Sequence, residues 1–333
     1  MKFLGLLSTS RVALALSVLH ANLVLAANSF AGSNLYYAAG LSGSERATLL
    51  SGMQSAGMKV LRVWLDGEST ATTKATTITT YPDLEPVTVG TYNDTVLDLL
   101  DDFMLDSYNY GIKLLISMHS WNALSRPGIY GQWYGTDDFY EQAQPQEEFD
   151  NRLVHVLNHV HSTLGTPWKT MGQYIFGFEA ENEAMIGNGQ QYIVDHQSWQ
   201  CDRAATIKGQ LGDNSGILVL TGGEWLAQLA QAADKMLLFE EWGSCYFNTS
   251  NNDCPTGTPL DASTRNTNIE TWASQITAAG MPWLYWEILP NADPHYSYDY
   301  EIGIGDPAWS TLEAAAQAAL QAPAAFDYSQ YLL

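Results

Sequence analysis

Short apolar runs that alternate with longer amphipathic stretches constrain this chain more than any other feature. Residues 60–65 (Val-Leu-Arg-Val-Trp-Leu) and 113–119 (Lys-Leu-Leu-Ile-Ser-Met-His) are too short for helices and too apolar for loops, so they read as buried strands. Between them, Val96, Leu97, Leu100, Phe103 and Met104 recur at helical spacing within 93–110, and Gly111 stops that helix. A second helix, 147–164, ends at Gly165 before a strand at 174–178. Runs at 217–220, 236–239 and 283–286, and an opening strand at 34–37, continue the pattern. Strands separated by helices pair in parallel, which makes the fold class α/β with a parallel sheet. The Thr-rich stretch 69–80 has little that could fill a core and reads as a surface loop.

The alternation fits either an open sheet or a barrel, and the polar positions choose between them. Arg62, His119, Asn182 with Glu183, Glu241 and Trp286 fall at the C-terminal ends of these runs. In a (β/α)8 TIM barrel those ends surround one mouth. An open doubly wound sheet usually shows a Gly-rich first turn, and 38–43 lacks the G-x-G-x-x-G pattern. A TIM-type barrel is therefore expected.

The first 26 residues read as a secretory signal peptide. Lys2 and Arg11 flank an apolar run at 12–19 that is too short to span a bilayer, and small residues at 24–27 offer a cleavage site near Ala26. Residues 27–333 then form a single domain, with no linker, heptad or internal repeat. Export permits disulfides and glycosylation; Asn93 and Asn248 head acceptor tripeptides. Cys245 and Cys254 close a short loop and are paired here, leaving Cys201 over, either as a buried thiol or as the partner of a lost cysteine. A net charge of −22 excludes a basic nucleic-acid footprint and attraction to anionic membranes. No cofactor or metal is expected: His155 and His159 stand at i, i+4 without an HExxH frame, and a solvated or packing role is preferred. The sole partner expected is a polysaccharide or oligosaccharide substrate, bound by a monomer.

Two acidic residues supply the chemistry. Glu183 closes the run Ile-Phe-Gly-Phe-Glu-Ala-Glu-Asn-Glu at 175–183, and Glu241 stands in Met-Leu-Leu-Phe-Glu-Glu-Trp-Gly at 236–243. Carboxylates are costly in apolar strands unless they face a polar mouth. Two of them on separate strands are what glycosidic cleavage requires, one to protonate the departing oxygen and one to attack the anomeric carbon or activate water.

Asn182-Glu183 and Glu241-Trp242-Gly243, each after a buried strand, resemble family 5 of the glycoside hydrolases, retaining (β/α)8 enzymes that include cellulases and β-mannanases. The resemblance implies that Glu183 is the acid/base and Glu241 the nucleophile, with Glu240 its competitor. It further implies that Arg62 supports the nucleophile, that Asn182 bonds the substrate 2-hydroxyl, that Trp286 is the platform under the scissile sugar, and that His119 is the histidine after the third strand. Sugar faces pack on flat aromatic rings, so Trp121, Trp133, Tyr134 and Trp242 are expected to line subsites. Trp168 and Trp272 are expected to pack, Trp225 could do either, and 298–301 could line the cleft or close a loop. The motifs at 32–36 and 240–243 resemble the mannanase branch, which makes a secreted endo-β-1,4-mannanase-like enzyme the leading function. A β-glucanase, or a sugar-binding descendant without activity, is the alternative.

One departure stands out. From Arg62 to His119 the chain takes 57 residues, and from His119 to Glu183 it takes 64. Only 58 separate Glu183 from Glu241, where a barrel passing from its fourth strand to its seventh needs three units of roughly 30 each. The family's sixth strand supplies a histidine and a tyrosine, and no His-x-Tyr occurs in that interval. The expectation is an incomplete barrel lacking one β/α unit between Gly223 and Lys235. If the sheet still closes, strand five must pair with strand seven.

Overall fold

The computed structural model describes residues 27–126, 128–222, 235–249, 254–296 and 298–333. The signal-peptide segment, residues 223–234 with Trp225, and Ser250 of the Asn248 acceptor lie outside the described residues.

Seven parallel strands form the central sheet: β1 (Ala31–Asn34), β2 (Val60–Trp64), β3 (Lys113–Ser117), β4 (Ile175–Glu179), β5 (Leu218–Leu220), β6 (Phe239–Trp242) and β7 (Trp283–Tyr285). Their order is β5-β4-β3-β2-β1-β7-β6. This is a curled, incomplete barrel. Among the described residues β5 and β6 do not pair; they are the two free edges, so the expected closure of strand five on strand seven does not occur. Among the described residues the sheet is open at the place where the sequence runs short.

The long helices are α1 (Gly43–Ser55), α2 (Thr95–Asn109), α3 (Ala143–Asn158), α4 (Ser198–Leu211), α5 (Ala262–Ala278) and α6 (Trp309–Ala319). Ser42 and Glu45 form a capping box at the start of α1. Helix α3 ends six residues earlier than its spacing predicts, with His159 as its C-cap. His155 and His159 pair with Asp94 (2.7 Å) and Asp101 (3.1 Å) on and before α2, so they fasten α3 to α2.

Strand alternation places Val60 and Arg62 on one face of β2. Val60 packs in a cluster with Phe30, Leu115, Phe176, Leu284 and Tyr328, which fills the inner side of the sheet below Arg62. The larger cluster, with Leu61, Val63, Leu114, Ile116 and Phe178, lies between sheet and helices. The 69–80 loop forms a small antiparallel hairpin, Thr72–Thr73 with Thr76–Thr77.

Candidate active site

Arg62 is the centre of the site. It is 1% exposed and lies at the middle of β2 (Val60–Trp64), two residues short of the strand end where the sequence pattern placed it. Its Nη1 donates to Glu241 on β6 and to Asn34 Oδ1 on β1 (3.3 Å). Its Nη2 donates to Glu179 Oε1 (2.6 Å) on β4 and to Asn182 Oδ1 (2.7 Å), while Nε also reaches Glu179 (3.0 Å). The guanidinium carbon lies over the Trp64 ring, 4.5 Å from its centre. Burial works against the charge on Arg62, but Glu179, Glu241 and Glu240 outweigh it and hold the proton more firmly than in water.

Glu240 and Glu241 both approach Arg62, Glu240 Oε2 at 3.9 Å from Nη2. Strict alternation would send one of them away, but the β6–β7 register shifts between Phe239 and Trp242. Burial, and then the neighbouring Glu179 carboxylate, push Glu240 up to about 8 against the pull of Arg62. Glu241 is the more exposed of the pair, at 31% against 16%.

Both glutamates are placed differently from the sequence expectation. Strand β6 begins at Phe239, so they lie inside it, whereas Met236 and Leu238 precede it. Strand β4 ends at Glu179, and Glu183 lies four residues on, in a turn with φ of 54°. That turn is tied to its surroundings by Asn182 N to His119 O (2.9 Å), Glu183 N to Gly222 O (3.0 Å) and Met185 N to Tyr140 Oη (3.0 Å).

His119 is buried among Tyr130, Phe139 and Phe149, with Nδ1 2.8 Å from Glu181 Oε1. It borders a small cavity lined also by Asp66, Asp83, Glu85 and Arg152. Trp286 stacks at 10° on Tyr36 and edge-on to Trp64, giving the mouth an aromatic wall. Trp121 stacks on Tyr140, and Trp133 is 49% exposed. Trp242 departs from its expected subsite role. It is 5% exposed and packs edge-on against Trp283 and Tyr285, because the bulged strand turns it into the core. Trp168 is fully buried, as expected, whereas Trp272 is 45% exposed on α5 rather than in the core.

Cys245 and Cys254 form the disulfide, with Cα atoms 5.4 Å apart. Cys201 is an exposed thiol on α4 rather than a buried one. Asn93 is half-buried, its Oδ1 accepting from Thr95 Oγ1 (2.6 Å), and Asn248 is exposed. In 298–301, Asp299 pairs with His295 (3.1 Å) and Glu301 with Lys74 (2.6 Å), so the segment closes the loop after β7. Burial works against the charge on His295, but the carboxylates of Asp299, Asp306 and Asp293 raise it to about 9.

Sequence reasoning missed Glu179, Glu181, Asn34, Tyr36 and Trp64. The signal for the first two was present: Glu179, Glu181 and Glu183 alternate along one run, and three carboxylates in phase need a common polar destination.

The curled parallel sheet, with carboxylates from two strands around one arginine, is similar in fold to several solved barrel structures. The structure is similar to an endo-1,4-beta-mannanase from Rhizomucor miehei, with a TM-score of 0.64, 20% identity and coverage of 88% of this chain and 95% of that one. It is similar to a glycoside hydrolase family 5 mannosidase from the same organism, with a TM-score of 0.63, 14% identity and coverage of 89% and 94%. Endo-glycoceramidase II from Rhodococcus sp. follows at a TM-score of 0.55 and 14% identity, covering 86% and 78%. In sequence, the chain is 25% identical to mannan endo-1,4-beta-mannosidase 1 of Arabidopsis thaliana over 188 residues. That match spans 53% of this chain and 43% of the relative, less than half its length. No protein-family model matches the chain.

Proposed function

We propose that this chain is a secreted glycoside hydrolase of family 5 that cleaves β-glycosidic bonds of a cell-wall polysaccharide with retention, and that mannan is its substrate. Glu183 serves as acid/base and Glu241 as nucleophile. The observation that carries this reading is the Arg62 guanidinium, which bonds Glu241 on β6 and Asn182, the residue before Glu183, at the same time. A buried cation of that kind would favour the carboxylate form of Glu241, and it ties β6 to the residue before Glu183. Tyr36 and Trp286, half-buried and stacked on each other, offer aromatic surface to a sugar ring beside it, with the buried Trp64 behind them. The mannanase relatives, in sequence and in fold, support the substrate. Asn93 and Asn248 are proposed glycosylation sites, and the first 26 residues a cleaved signal.

The open edge between β5 and β6 favours one second reading, a sugar-binding descendant that does not turn over. The seam adjoins Glu241, so the missing unit would have stood beside the nucleophile. Reducing-sugar release from mannan and cellulose decides. The first reading expects turnover that Glu241→Ala reduces by about 10³-fold or more. Retention on the polysaccharide without turnover, unchanged by Glu183→Ala, establishes the second.

A further inference from the structure

Glu181 has no part in the chemistry above, yet it is a carboxylate 1% exposed at the heart of the site. One oxygen takes His119 Nδ1 at 2.8 Å and the other accepts from the Tyr140 hydroxyl at 2.8 Å. The same hydroxyl accepts from Met185 N at 3.0 Å. Tyr140 is itself held in place: it is 2% exposed, its carbonyl takes Gln146 Nε2 at 2.6 Å, and Trp199 packs edge-on against its ring. Glu183 and Met185 both have left-handed backbone, φ of 54° and 67°, although neither is glycine. Such residues cost of order 1–3 kcal/mol each and persist only where their surroundings over-determine them.

We propose that Glu181 is a positioning residue: through the Tyr140 hydroxyl and His119 it holds the strained 183–185 turn, and so aims the Glu183 carboxyl at the departing glycosidic oxygen. The inference rests on the assignment of Glu183 as acid/base. Tyr140 donates to the Glu181 carboxylate, which leaves a lone pair of its hydroxyl for Met185 N. His119, on the other oxygen, holds the β3 end, whose His119 carbonyl takes Asn182 N. Removing either link lets the turn relax toward ordinary φ and swings Glu183, while Arg62 and Glu241 keep their contacts on the other strands.

Leaving-group dependence separates this role from a merely structural one. An acid out of place slows cleavage of mannotetraose, whose leaving sugar must be protonated, but hardly slows cleavage of a 2,4-dinitrophenyl β-mannobioside, whose leaving group needs no proton. For Glu181→Gln and Tyr140→Phe, kcat/KM on mannotetraose is expected to fall about 100-fold and on the dinitrophenyl substrate less than about 5-fold. Glu183→Ala is the reference and should show the same contrast more strongly. Should Glu181→Gln not fold, Tyr140→Phe, which removes one oxygen and keeps the ring, carries the test. Equal losses on both substrates, or none, beside a Glu183→Ala variant that keeps the contrast, overturn the positioning role and leave the glycosidase reading intact. A Glu183→Ala variant without the contrast overturns the acid/base assignment instead.

Discussion

Three carboxylates, Glu179, Glu240 and Glu241, approach Arg62, and their environments give them different tasks. Glu179 is fully buried and shares its Oε1 between two nitrogens of Arg62, which fixes the guanidinium plane. Glu240 has the least favourable surroundings for ionisation. The unfolded chain releases this proton near 4.5, whereas the folded chain keeps it to about 8. The folded state therefore binds more protons across that window, and stability falls as pH rises from about 4.5 to about 8. Glu240→Gln should melt with the wild type at pH 4.5 and at least a few degrees above it at pH 8.5, as read by thermal denaturation. A variant less stable than wild type at pH 8.5 would show that an ionised Glu240 stabilises the Arg62 cluster.

At the scale of elements, β1 holds the sheet together because it lies between β2 and β7. Gly32 makes the close approach possible: a Cβ there would stand 2.2 Å from the Val60 carbonyl oxygen and 2.6 Å from the Leu284 side chain. The carbonyl belongs to the ladder and cannot yield. Gly32→Ala should cost about 3 kcal/mol in chemical denaturation. Gly43→Ala is the control, since nothing lies within 4 Å of its Cβ position in the first turn of α1. It should be neutral or stabilising by up to about 1 kcal/mol. Equal destabilisation by both would show that the β1–β2 approach is not what Gly32 serves.

For the whole molecule the consequence is the open seam. Strands β2 and β3 are buried throughout and flanked on both sides, whereas β5 is half-buried and Phe239 of β6 is 38% exposed. Edge strands lend their amides to solvent more readily than central ones. Hydrogen exchange should show the amides of β5 and β6 exchanging well before those of β2 and β3. Uniform protection across all seven strands would mean that the seam is covered in solution. A transcript encoding a His-x-Tyr strand between codons 223 and 235 would supply the absent unit.

Much of this was legible in the residues. Periodicity is a local property, so the strands of the central sheet and the helix of residues 95–109 could be located from side-chain spacing, as could the shortage of chain between Glu183 and Glu241. The opening strand lies at Ala31–Asn34 rather than the expected 34–37, because Ala, Gly and Ser carry little apolar signal. Residue type alone marked Arg62, Asn182 and the two glutamates as costly in apolar runs. What spacing could not supply was direction. The bulge in β6 that brings Glu240 and Glu241 to the same guanidinium and sends Trp242 inward depends on how β6 registers against β7, 283 residues into the chain. The turn that carries Glu183 takes a backbone its own residues disfavour, held by Tyr140 and His119 from other segments. The sequence by itself determined the elements, their order and the chemistry available at their ends. Only the tertiary structure decided which ends meet and that, among the described residues, β5 and β6 stay unpaired, because pairing and side-chain direction depend on contacts between residues far apart in the chain.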